Sequence, residues 1–152
     1  MSTDFYDKIV IADTSSLLVF SHIGRFSILR ELFPQLITTP EVVVEYKDVL
    51  PPWIKVVSVQ NASLTKTINT LLGLGESSAI ALALETQNPL IILDDKRARA
   101  YAKNLGLDHT GVIGLLRLGY KKGIIDDINI ILAELKADHF YLPDNVEELI
   151  KR

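Results

Sequence analysis

A three-layer α/β/α sandwich around a mainly parallel central sheet is the fold class that this sequence predicts, and three observations carry it. Two short runs, KIVIA at 8–12 and LIIL at 90–93, are apolar and rich in β-branched residues without polar relief, as in strands covered on both faces. Segments with apolar residues at helical spacing lie between these and the weaker strand signals. Strands alternating with helices imply crossover connections and a parallel sheet with helices on both sides.

The elements follow in order. Residues 8–12 form the first, central strand, which stops at Asp13. Thr14 and Ser15 offer side-chain oxygens to free N–H groups, and Leu17, Leu18, Phe20 and Ile23 recur at helical spacing, so a helix begins directly after Asp13. A second helix is expected over 25–33 and a short strand over 36–38. Thr39 and Pro40 then supply an N-cap and an N1 proline for a helix that carries Glu41 and Glu45. After Pro51 and Pro52, residues 54–59 alternate as an edge strand would, with prolines guarding its entry. Residues 64–72 have helical spacing and break at Gly73 and Gly75, after which 76–85 (ESSAIALALE) is rich in helix formers, with Glu76 in the first turn. The strand at 90–93 runs into Asp94, Asp95, Lys96 and Arg97. A helix over 97–105, a strand over 108–110, helices over 111–121 and 126–137, and a small terminal helix at 143–152 complete the order. No repeat, low-complexity tract or linker interrupts it, and 152 residues suit one domain spanning 1–152.

A hydrophobic content of 48% is enough for one substantial core, and the absence of cysteine excludes disulfides, thiolate zinc sites, iron–sulfur clusters and cysteine nucleophiles. Any metal must therefore be held by oxygen or imidazole. No basic leader precedes the first apolar run, and no stretch approaches roughly 18 uncharged apolar residues, so a soluble, cytoplasmic chain without membrane contact is expected. A formal net charge of -3 argues against a surface that traps nucleic acid everywhere, so any nucleic acid must be gripped locally.

In an open parallel sheet ligands bind at the carboxyl ends of strands, and Asp13 and the Asp94/Asp95 pair sit at two such ends. Singly, each acid has an ordinary explanation: Asp13 as an N-cap, Glu76 as a complement to a helix dipole, Glu45 as an exposed helix residue. Gathered together they mean something else, because like charges about 4 Å apart repel by roughly 4 kcal/mol at an effective dielectric near 20. Such a cluster needs protons or cations. Magnesium or manganese takes a few carboxylates and keeps positions for water and phosphate oxygens. One or two such ions would lower the pKa of a water and neutralise charge on a leaving oxygen, so phosphodiester hydrolysis needs no side-chain nucleophile.

IADTSSLL, TTPEVVVEY, LGLGESSAIALALE and IILDDKRARAYAKNLGL, in that order, resemble the motifs of PIN domains, and GVIGLLRLGYKKGIIDDI extends the resemblance to nearly the whole chain. The GESSAIALALE and LDDKRAR blocks, followed by a G-x-x-G-L-L segment, resemble a small prokaryotic PIN group related to toxin components of toxin–antitoxin pairs. The resemblance implies a PIN-like fold and a magnesium- or manganese-dependent endoribonuclease acting on single-stranded or structured RNA. It implies that Asp13, Glu45, Glu76 and Asp95 are catalytic and hold metal, with Asp94 as a supporting ligand. It also implies an antitoxin protein, often one that inserts a basic side chain into the acidic pocket.

Thr14 and Ser15 can hydrogen-bond an acid, a metal-bound water or a substrate phosphate as well as cap a helix. Lys96, Arg97 and Arg99 can steady RNA phosphate, although basic residues on a helix are usually its solvated face. Lys121 and Lys122 complement a helix end, and His22, His109 and His139 lack metal-ligand spacing. Trp53 suits core packing or a homodimer contact as well as stacking on a base. A receiver-like phosphotransfer domain shares the parallel sheet and acidic pocket, but the strand ending in Ser58, Val59 and Gln60 lacks a phosphoacceptor aspartate, and Glu45 and Glu76 would have no duty. A noncatalytic PIN-like module binding RNA or protein would usually have lost acids that are present here.

Overall fold

The computed structural model describes residues 7–152. Among them five strands form one all-parallel sheet: β1 (Ile9–Ala12), β2 (Leu36–Thr38), β3 (Lys55–Val56), β4 (Pro89–Ile92) and β5 (Asp108–Thr110), in the order β3-β2-β1-β4-β5. As expected, β1 is central, with Val10 and Ile11 opposite Leu36 and Ile37 on one side and Ile9–Ala12 opposite Pro89–Ile92 on the other. From β1 the chain moves outward through β2 and β3, then crosses to the opposite flank of β1 for β4 and β5. The switch point therefore lies between β1 and β4, where open sheets of this kind bind ligands.

The helices are α1 (Thr14–His22), α2 (Phe26–Leu32), α3 (Pro40–Tyr46), α4 (Ala62–Asn69), α5 (Leu74–Leu84), α6 (Lys96–Asn104), α7 (Val112–Lys121), α8 (Ile128–Ala137) and α9 (Val146–Lys151). The period of two along a strand sorts the side chains of the sheet between two cores. Val10, Ala12, Leu90 and Ile92 pack with α1, α2, α3, α7, α8 and α9, whereas Ile11, Ile91 and Leu93 pack with α4, α5 and α6. That division makes the three layers. No described helix is long and apolar enough to cross a membrane.

Several boundaries differ from expectation: the helix expected over 64–72 is α4, Ala62–Asn69, and the terminal helix expected over 143–152 is α9, Val146–Lys151, while two further differences have identifiable reasons. The edge strand expected over 54–59 is only Lys55–Val56, because Ile54 N–H turns back to Pro51 O and the short β2 ends at Thr38, whose carbonyl takes Val57 N–H. Its two residues are exposed, and it is the edge as anticipated. The helix expected from Glu76 starts at Leu74, because Gly73 serves as N-cap and the Glu76 side chain accepts the Gly73 N–H at 3.2 Å. Gly75 therefore lies inside the first turn and does not break it.

Candidate functional site

β1 and β4 are parallel neighbours, so their carboxyl ends open at one edge of the sheet, and each runs directly into an aspartate that caps the next helix. Asp13 is fully buried, and its Oδ1 accepts Ser16 N–H at 3.0 Å. Capping by Thr14 or Ser15 is thereby corrected: Asp13, with extended backbone at the junction, is the residue placed to reach the third amide of the turn. Its Oδ2 is buried without a hydrogen-bond partner among the described residues. Burial pushes the Asp13 carboxyl up to about 6; the nearby Ser16 N–H and hydroxyl and the Asp94 N–H, of which only the Ser16 N–H makes a full hydrogen bond, oppose the rise, and the charge of Glu76 adds to it.

Glu45 arrives from α3, which Thr39 aims by accepting Val42 N–H at 3.2 Å and sharing a 2.7 Å hydrogen bond with Ser78 of α5. The Thr14 hydroxyl donates to Glu45 Oε1 at 2.6 Å, and Gly75 N–H donates to Oε2 at 3.1 Å. A Cβ on Gly75 would collide with both the Glu45 carboxylate and the Thr14 hydroxyl. Only glycine lets α5 come this close, a site role that the sequence reading missed. Its one signal is its place directly before Glu76 in the GESSA block.

Glu76 is half-buried, and burial raises its carboxyl above the ordinary range, with the charges of Asp95 and Glu45 adding and Arg97 opposing. Asp95 is exposed and caps α6 by accepting Ala98 N–H at 3.0 Å. Thr14, Ser15, Glu45, Gly73, Gly75, Glu76, Asp95 and Arg97 line a cleft of about 340 Å³. Asp13 lies out of contact with solvent, yet close enough to Glu76 for their charges to interact.

Asp94, expected as a supporting ligand, does not join this cleft. It lines a neighbouring one with Arg99, and burial raises its carboxyl while Arg99 opposes. Consecutive residues leaving a strand project to different sides, so only one of the pair can face the acids. Lys96 is exposed and outside both clefts, whereas Arg97 stands at the rim with one N–H on Leu71 O at 3.1 Å. Arg99 turns to the carbonyls of Leu93 and Asp94, at 3.2 and 2.7 Å. Trp53 packs against the core, and His22 sits beside Asp138 at 3.1 Å, outside the acid cleft.

Each of the four clustered acids accepts an amide from the start of a helix: Asp13 from α1, Glu45 and Glu76 at the start of α5, Asp95 from α6. The positive ends of three helix dipoles thus point at the negative cluster and offset part of its repulsion. Among the described residues no three His, Cys, Asp or Glu side chains stand close enough to hold one metal ion in this conformation. The chemistry of the donors nevertheless fits a hard divalent cation: all are oxygens, and Asp13 Oδ2 is an orphaned buried acceptor. Glu76 Oε2 and Asp95 Oδ1 accept no hydrogen bond among the described residues.

A family model described as a PIN domain matches residues 9–152, a span that includes every strand and all four acids. Among curated proteins and solved structures none matches the chain significantly.

Proposed function

Since the chain belongs to the PIN-domain family, a nuclease-type fold that typically uses divalent metal ions, we propose that it is a magnesium- or manganese-dependent endoribonuclease. The observation that supports this reading is the delivery of Glu45, Glu76 and Asp95 by separate elements to one cleft at the switch point of the sheet, with Asp13 buried close enough to Glu76 for their charges to interact. These four residues would hold the ion, and when bound it supplies water activation and neutralisation of phosphate charge.

The surrounding side chains have separable tasks. Thr14 and the Gly75 amide keep Glu45 facing the cleft. Ser15 lines the same wall and offers a hydroxyl to a phosphate oxygen, while Arg97 at the rim offers guanidinium N–H groups to the RNA backbone. The proposal includes a cytoplasmic setting, which a cysteine-free chain suits. The receiver-like alternative loses ground because Glu45 is bonded to the start of α5 and β3 ends without an acid.

Asp13→Asn keeps a side-chain oxygen for the α1 cap while removing one negative charge, since asparagine caps helices about as well as aspartate. The variant should fold, by circular dichroism, and lose manganese- or magnesium-dependent RNA cleavage. Full cleavage by the folded variant would sink the assignment. A manganese-soaked crystal should show anomalous density among Asp13, Glu45, Glu76 and Asp95; a wild type that neither cleaves RNA nor takes up manganese favours the noncatalytic module. The toxin role, with its antitoxin, rests on the GESSAIALALE and LDDKRAR blocks. It predicts that induced expression of the wild type arrests growth and that of Asp13→Asn does not.

A further inference from the structure

Next to the acid cleft, at the carboxyl ends of β4 and β5, lies a second cleft of about 560 Å³. The two meet through consecutive residues, Asp95 lining the first and Asp94 the second. One wall is the start of α7, and the other is the segment that follows α8. That segment presents Tyr141, which is 82% exposed and has no hydrogen bond or ring contact among the described residues. The tyrosine is nevertheless on a fixed turn. His139 takes φ 61°, its N–H bonds Lys136 O, and Phe140 N–H bonds Leu135 O at 3.0 Å, a left-handed helix stop with Phe140 packed against the core. Arg99 lines the same cleft. Its Nη1 is held by two carbonyls, its other N–H groups have no hydrogen-bond partner among the described residues although the Asp94 carboxylate is near enough for their charges to interact, and Gly111 has no side chain to crowd it.

An open aromatic ring on an anchored turn, a guanidinium with spare donors, and a place beside the acid cleft, the two linked through Asp94 and Asp95, together describe a nucleotide seat. Resting on the endoribonuclease reading, we propose that this second cleft seats a nucleotide flanking the cut, its base stacked on Tyr141 and its phosphate near Arg99. A base inside a duplex is covered on both faces and cannot stack on a protein ring, so the substrate is single-stranded RNA.

The test uses the full chain with Asp13→Asn, to prevent cleavage, and a single-stranded oligoribonucleotide carrying 2-aminopurine. Binding should quench the probe, and adding Tyr141→Ala should remove the quenching and weaken binding about 5- to 150-fold, as expected for losing one base stack. Tyr141→Trp should restore both. In the cleaving protein Tyr141→Ala should raise KM and leave kcat within about twofold, and a duplex of the same sequence should be cut poorly. Unchanged quenching and affinity in Tyr141→Ala, or equal cutting of duplex and single strand, overturns the seat while leaving the nuclease reading standing. Tyr141-dependent quenching in a protein whose wild type never cleaves RNA supports the seat and counts against the nuclease reading alone.

Discussion

At position 13 the two oxygens of one carboxylate differ, with Oδ1 capping α1 and Oδ2 buried without a hydrogen-bond partner among the described residues. Because its pKa rises from 3.8 to about 6, the folded chain binds the Asp13 proton more tightly than the unfolded chain does. Folding takes up protons in that window, so the stability contributed by this group falls as pH rises from about 4 to 6. Above it the buried charge costs about 3 kcal/mol. Glu76 and Asp94 are shifted in the same direction. Without metal, Asp13→Asn should therefore be more stable than wild type at pH 7, and the gap should close near pH 4, as measured by urea unfolding in EDTA. Stability of the wild type that climbs relative to the variant between pH 4 and 7 contradicts the assignment. Gly75→Ala should cost about 1–3 kcal/mol, because the new Cβ meets the bonded Glu45 and Thr14, which outweighs a helix-propensity gain of roughly 1 kcal/mol. Its loss of cleavage should exceed its loss of stability, since Glu45 itself is displaced. At this scale legibility was partial. Positions 13, 45, 76 and 95 are readable as an ordered set of acids, but Gly75 reads as a helix break until a partner thirty residues earlier is placed over it. Nor does spacing say which of Asp94 and Asp95 faces the cleft.

Among the elements, α3 and α5 decide where the glutamates stand, and the Thr39–Ser78 pair joins them. Thr39→Ala removes the α3 cap and leaves the buried Ser78 hydroxyl with only Gly75 O. It should lower unfolding stability by roughly 1–2 kcal/mol and reduce cleavage, with Thr39→Ser recovering most of both. An unaltered urea midpoint in Thr39→Ala would show that the cap does not hold α3. Elements bounded by their own chemistry were legible: β2 and β5 occupy the residues expected, and Thr39 with Pro40 opens α3. Those bounded by a neighbour were not. β3 stops where the three-residue β2 stops offering partners, and α5 begins early because a glycine that suggests an ending acts as a beginning.

For the whole molecule, the parallel sheet converts position in the chain into position in space. Every strand ends at the same edge and the strand order makes β1 and β4 neighbours, so acids placed after these two strands come close together. Divalent binding at that edge should stabilise the entire fold. At manganese about one hundred times its Kd the gain is about 2.7 kcal/mol, which for a chain of this size raises Tm by roughly 5–10 °C at pH 7. The rise should be smaller at pH 5, where Asp13 must first release its proton, and largely absent in Asp13→Asn. A wild-type melting curve indifferent to manganese at pH 7 counts against the site. The bonds from the acids to the helix starts carry a further consequence, for descent. Folding alone favours an acceptor at 13, 45, 76 and 95, whatever becomes of the chemistry. On the proposed ribonuclease reading, a lineage that lost the activity would drift toward asparagine or serine at 13 and 95 and glutamine at 45 and 76, keeping the acceptor and shedding the charge. On that reading it is the negative charge, and not the mere polar residue, that would record a working nuclease in related sequences.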